Sequence, residues 1–98
     1  MKIVSWKCRG LDNKLKEKAL KNLIKIAHPD IILLQETKLE EGDFFQRSRY
    51  YWKKGQGTTV SSRGASVRVA TLWNQEMFDL HYSQLETHWV LTQLRHKC

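Results

Sequence analysis

The stretch DIILLQET, residues 30–37, carries four bulky apolar residues and then ends on a carboxylate. Open α/β sheets place their ligands beyond the carboxyl ends of their strands. Glu36, with Gln35 before it and Thr37 after it, is therefore the first candidate for chemistry. An acid in that place is either a surface residue at a strand exit or an oxygen ligand for a hard cation. The other candidates are weaker. GQGTTVSSRG at 55–64 lacks the Gly-Lys-Ser/Thr ending of a phosphate-binding loop and reads as a flexible connection. His81, His88 and His96 have no metal-ligand spacing with a cysteine or carboxylate, and no serine sits in a Gly-x-Ser-x-Gly turn. RYYWKK at 49–54 mixes aromatics with cations as single-strand binders do, but it reads more readily as a half-buried strand with a solvated edge.

Elements must hold Glu36 in place. Ile31 to Leu34 form a continuous apolar run, the pattern of a strand buried on both faces of a parallel sheet. Residues 2–8 alternate, with Val4, Trp6 and Cys8 on one side and Ile3, Ser5 and Lys7 on the other, which is a second strand. Between them, Arg9 and Gly10 turn the chain and Asp12 or Asn13 caps a helix. From Leu15, the positions Ala19, Leu20, Leu23, Ile24 and Ala27 form its apolar side. Lys14, Lys16, Lys18, Lys21 and Lys25 line the rest. Pro29 stops the helix and biases His28 away from the helical region. Strand, amphipathic helix and buried strand make a parallel βαβ unit.

The second half is less regular. Residues 38–48 are polar and partly acidic, Tyr50 to Lys54 read as a short strand, and 55–64 as a loop. Ala65 to Trp73 alternate, Asn74 and Gln75 mark a turn, and 78–95 supply one long strand or two. Such strands, in an antiparallel series, would widen the sheet begun by the βαβ unit.

Composition sets the outer limits. Ninety-eight residues allow one small domain, taken as 1–98. No apolar run approaches the roughly 20 residues of a membrane span, and the start enters a strand pattern without a signal segment. Cys8 and Cys98 lie at opposite ends, which fits a reducing, intracellular setting. Seventeen Lys plus Arg against ten Asp plus Glu give a net charge of +7, an excess that favours polyanionic partners. Weak, sequence-independent DNA binding follows, on the order of 10⁻⁴–10⁻⁶ M at physiological salt. Arg9, Lys53, Lys54, Arg63 and Arg68, together with the lysine-rich helix, are the candidate contacts.

MKIVSWKCRGL, a basic helix, HPDIILLQETKL, SSRGASVRVATLWN and THWVLTQLRHK occur in that order. This series resembles the opening of the endonuclease/exonuclease/phosphatase family, and in particular the endonuclease domain of plant LINE-type retrotransposons. The resemblance implies a partial four-layered α/β sandwich of the DNase I-like type, with one mixed β-sheet and an N-terminal βαβ unit. It implies phosphodiester cleavage with Mg²⁺ or Mn²⁺ held by Glu36 and organised by Gln35. A retroelement product would act in the nucleus.

The chain departs from that pattern in three places. Lys7 stands where the family has asparagine, and an ammonium repels a cation rather than ligating it. Val67 and Arg68 stand where plant relatives show two glycines. The family's catalytic tyrosine, Asp-x-Asn pair and terminal Asp-His lie in a portion this chain does not contain, and neither His88 nor His96 can substitute. The expectation is a truncated, inactive fragment. A small basic nucleic-acid-binding module and a metal nuclease completed by a partner chain are the alternatives. The missing partner sheet would also leave Trp6 or Ile3, Val69 and Trp73 in an apolar patch, so self-association through the sheet face is expected.

Overall fold

Strand β1 (Ile3–Lys7) and strand β2 (Ile31–Gln35) lie side by side in parallel, with Ile3 opposite Ile31 and Lys7 opposite Gln35. The computed structural model describes residues 1–11, 13–38, 41–61, 68–85 and 90–97. Helix α1 (Lys14–Ala27) crosses between the two strands, as the sequence pattern requires. It starts at Asn13, whose side-chain oxygen accepts from the Lys16 N–H at 2.9 Å. It ends at His28, which takes a left-handed conformation and donates its N–H to Ile24 at 3.0 Å, just before Pro29.

Strand β4 (Arg68–Asn74) pairs antiparallel with β2, and β3 (Gly55–Ser61) pairs antiparallel with β4, giving the order β1-β2-β4-β3. The register places Val4, Trp6, Ile32, Leu34, Ala70, Leu72 and Gly57 on one face. That face is covered by Leu20 of α1 and by Phe44 of helix α2 (Glu41–Tyr51), and Tyr51 and Trp52 complete the core. Ile32, Leu34, Leu20 and Leu72 have no exposed surface. Each such side chain contributes about 1.5–3 kcal/mol through burial.

Several sequence expectations are corrected here. Residues 41–51 form a helix because Phe44, Ser48 and Tyr51, at i, i+4 and i+7, turn inward together. Tyr50 to Lys54 are therefore not a strand. Tyr51 ends α2, Trp52 still donates its N–H to Ser48 at 3.0 Å, and Gly55 donates to Trp52 at 2.9 Å to close the turn. Nor is the glycine-rich run a loop in its described part. A Cβ on Gly55 would lie 2.7 Å from the Trp52 ring, and one on Gly57 would lie 2.5 Å from Leu72 and 3.1 Å from Phe44. The glycines let α2 rest directly on the strand's backbone.

Leu15 and Ala19 leave the apolar side of α1: Leu15 is 81% exposed, as is Ile26 at 80%. Strands β5 (Phe78–Leu85) and β6 (Val90–His96) pair only with each other, so they form a second sheet and do not widen the first. The expected open patch is also smaller than the sequence suggested. Trp73 is 1% exposed, whereas Ile3 on the same face is 58% exposed and Ile31, Leu33 and Val69 are half-buried. Trp6 lies on the helix-covered face.

Candidate functional site

Beyond their last paired residues, β1 and β2 keep running together. Cys8 donates its N–H to Gln35 at 3.0 Å, Gly10 to Glu36 at 2.6 Å and Leu11 to Thr37 at 2.7 Å. The backbone there is unusual. Arg9, Glu36 and Lys38 take positive φ of 53°, 57° and 58°, and Gly10 takes 104°. A non-glycine residue in that region costs on the order of 1–3 kcal/mol, and such strain concentrates at functional sites. The cross-strand hydrogen bonds and the burial of Cys8, Gly10, Leu11 and Thr37 hold the conformation in place.

Glu36 thus leaves the sheet at its carboxyl end with the ammonium of Lys7 beside it. Lys7 Nζ lies 3.6 Å from Glu36 Oε2, with side-chain exposures of 57% and 30%. The separation exceeds hydrogen-bond length, and at this exposure the pair contributes about 1 kcal/mol or less. Glu36 Oε2 is itself buried without a hydrogen-bond partner, and so is Thr37 Oγ1 in the next residue. Two adjacent buried oxygens without partners need a physical explanation. No sequence signal marked the Thr37 hydroxyl beyond its place next to Glu36. The Cys8 thiol donates to the Gln35 carbonyl at 3.2 Å. Burial pushes its pKa up, only partly offset by the Gly10 backbone and by Lys16, so this thiol is not a nucleophile near neutral pH.

The remaining predicted residues divide between two ends of the sheet. Arg9 is exposed at the Glu36 end, and Arg68 opens β4 there, one position beyond the Gln35–Val69 pair. Lys53 and Lys54 lie at the opposite end, in the turn before Gly55, which pairs with Asn74. Lys54 sits 3.8 Å from Glu76. The two ends are about 20 Å apart, the length of β4 from Arg68 to Asn74. Gln35 is exposed in line with Lys7. Arg63, Val67 and His88 lie outside the described residues. His81 contacts Arg95 at 2.6 Å and His96 packs edge-on to Phe78 at 5.3 Å.

A second cluster joins the helices. Arg47 donates to Glu17 Oε1 at 2.9 Å, and the Tyr51 hydroxyl donates to the same oxygen at 3.4 Å. Burial pushes the Tyr51 phenol up to about 12, with Glu17 adding to the rise and Arg47 opposing it. Its members come from positions 17, 47 and 51, which no local sequence signal connects.

A βαβ unit ending in a strained, acid-bearing strand exit, continued by antiparallel strands and backed by two helices, defines a class of protein. The sequence pattern of the endonuclease/exonuclease/phosphatase family matches residues 4–95, and the chain belongs to that family. Among individual proteins, an exodeoxyribonuclease of Bacillus subtilis (strain 168) is 36% identical over 77 residues, spanning 70% of this chain and 31% of that protein. The crystal structure of TDP2 from C. elegans superposes with a TM-score of 0.58 at 23% identity, covering 96% of this chain and 31% of TDP2. The fold is DNase I-like, and the chain spans about a third of the length of each relative.

Nucleases of this family typically use a divalent metal. The buried, unpartnered Glu36 Oε2 is the atom on which a hard cation would be tested. Among the described residues no group of three or more Asp, Glu, His or Cys side chains surrounds it. The Lys7 ammonium lies 3.6 Å from it. These residues do not by themselves fit a divalent ion.

Proposed function

We propose that this chain corresponds to the amino-terminal part of a LINE-type retroelement endonuclease domain, binds DNA weakly without sequence preference, and alone does not cleave it. The observation that carries this reading is Lys7 Nζ lying 3.6 Å from Glu36 Oε2. An ammonium this close to the carboxylate competes with any cation for it. One carboxylate without a general base or further ligands does not make an active site. The net charge of +7 supports contact with phosphates through counterion release.

Nicking of supercoiled plasmid in Mg²⁺ or Mn²⁺ tests the reading. The chain and Lys7→Asn are expected to leave the plasmid intact. A chimera supplying the missing carboxyl-terminal portion from an intact relative is expected to nick it when Lys7→Asn is present and to lose that activity with Glu36→Ala added. Nicking by the unmodified chain that disappears in Glu36→Ala would overturn the proposal, in favour of a nuclease completed by a second copy or another chain. Self-association belongs to the same reading, through the face bearing Ile3, which is 58% exposed. A single monomeric species in sedimentation velocity would remove that part.

A further inference from the structure

Helix α1 carries Lys14, Lys18, Lys21 and Lys25 at i, i+4, i+7 and i+11. That spacing aligns them along one side of the helix over about 16 Å. Lys14, Lys18 and Lys25 are exposed. Lys21 turns onto the neighbouring helix, with Nζ 3.4 Å from the centre of the Tyr50 ring, and Tyr50 is itself 64% exposed. The stripe therefore follows the seam between α1 and α2 and meets an open aromatic ring.

No carboxylate neutralises this stripe among the described residues. Glu17, the only acid of α1, is taken up by Arg47 at 2.9 Å. Like charges four residues apart on a helix destabilise it by a few tenths of a kcal/mol per pair. The seam bears this repulsion at Lys14–Lys18 and again at Lys21–Lys25. Of the three aromatics in RYYWKK, Tyr51 and Trp52 are buried in the core, and only Tyr50 is presented outward.

We infer that the α1–α2 seam is a docking surface for single-stranded nucleic acid, with phosphates on the four lysines and a base against Tyr50. Charge complementarity selects a polyanion. An exposed ring set among cations suits unpaired bases, because stacking is indifferent to base identity. An anionic membrane is the less favoured partner. The exposed Leu15 and Ile26 that would enter it share a stripe about 100° round the helix from the lysines, away from Tyr50. The partner's class rests on the nucleic-acid reading given above, but not on cleavage or on Glu36.

Fluorescence anisotropy with the full chain, in EDTA, tests the inference. The probes are a labelled oligothymidylate, a duplex of equal length and vesicles containing anionic phospholipid. The chain is expected to bind the single strand, with a logarithmic salt slope that falls by about 3 units when Lys14, Lys18, Lys21 and Lys25 are all changed to Gln. Circular dichroism should show that this variant keeps its helices, since glutamine is as good a helix former as lysine. Tyr50→Ala should weaken single-strand binding about fivefold or more while leaving duplex binding nearly unchanged, and Tyr50→Phe should restore it. If the quadruple variant binds the single strand like the unmodified chain, the seam is wrong while the nucleic-acid reading stands. If the chain binds no oligonucleotide at any salt, both fall. Stronger binding to vesicles than to the single strand would replace the partner proposed here.

Discussion

The helix-covered side of the sheet and the strand exits around Glu36 handle charge and backbone in opposite ways. Under the helices, Glu17 accepts hydrogen bonds from both Arg47 and Tyr51, the chain is helical or extended, and Ile32, Leu34 and Leu72 are wholly buried. At the exits, Lys7 and Glu36 face each other beyond hydrogen-bond distance, and three non-glycine residues adopt positive φ. The difference teaches where stability is made and where it is consumed. The core holds β1 and β2 in a fixed register, and that register forces Arg9, Glu36 and Lys38 into conformations they would not choose.

Three experiments break or sharpen this contrast. The largest effect is expected from Leu34→Ala, which empties a fully buried position between β2 and the helices. It should cost about 2–5 kcal/mol in chemical denaturation. Leu33→Ala, on the half-buried opposite face, should cost clearly less. Equal costs would mean that the two faces are equally packed and the contrast is false.

The next effect is set by pH. The Tyr51 phenol is raised from 10.0 to about 12 in the folded chain. The neutral form is thus favoured by folding, so its contribution is complete below about pH 10 and is lost as pH rises through about 12. The loss should approach 2–3 kcal/mol, at about 1.4 kcal/mol per pH unit between the two values. Stability should fall more steeply over that range in the unmodified chain than in Tyr51→Phe, which lacks the phenol. Parallel curves for the two proteins would show that the Tyr51 phenol is not buried in the folded chain.

The smallest effect concerns strain. Lys38 has a φ of 58° and is exposed. Lys38→Gly should be neutral or stabilising by about 0.5–1 kcal/mol, the reverse of the usual glycine penalty within an element. A destabilisation of that size would mean that the exit is not strained.

What the sequence made legible follows from locality. The apolar run Ile31–Leu34 forms the expected strand, although one of its faces is only half-buried and one neighbour is antiparallel, and the helix cap falls on Asn13, one of the two positions the sequence offered. The family motifs were legible because they lie in short continuous stretches. Helix α2 was hidden because its inward set, Phe44, Ser48 and Tyr51, includes a serine and is spread through a polar stretch. The run beginning at Gly55 resembled a loop because the rings that make glycine necessary, Trp52 and Phe44, act from another element. The same holds for the site. Glu36 stood out as an acid ending a buried strand, whereas its positive φ and the unpartnered Thr37 hydroxyl arise only when β1 and β2 run on together.

Gly55 and Gly57 also act as a ruler for strand assembly. Sliding β3 by one residue against β4 would bring the side chains of Gln56 and Thr58 beneath rings that leave space for little more than a hydrogen atom. A one-residue slip also turns every side chain of a strand to the opposite face. The wrong alignment is therefore excluded by collision before hydrophobic burial can choose between the two. Helix and strand are thus matched to each other: the Phe44 and Trp52 rings fit over β3 only where a glycine lies beneath them.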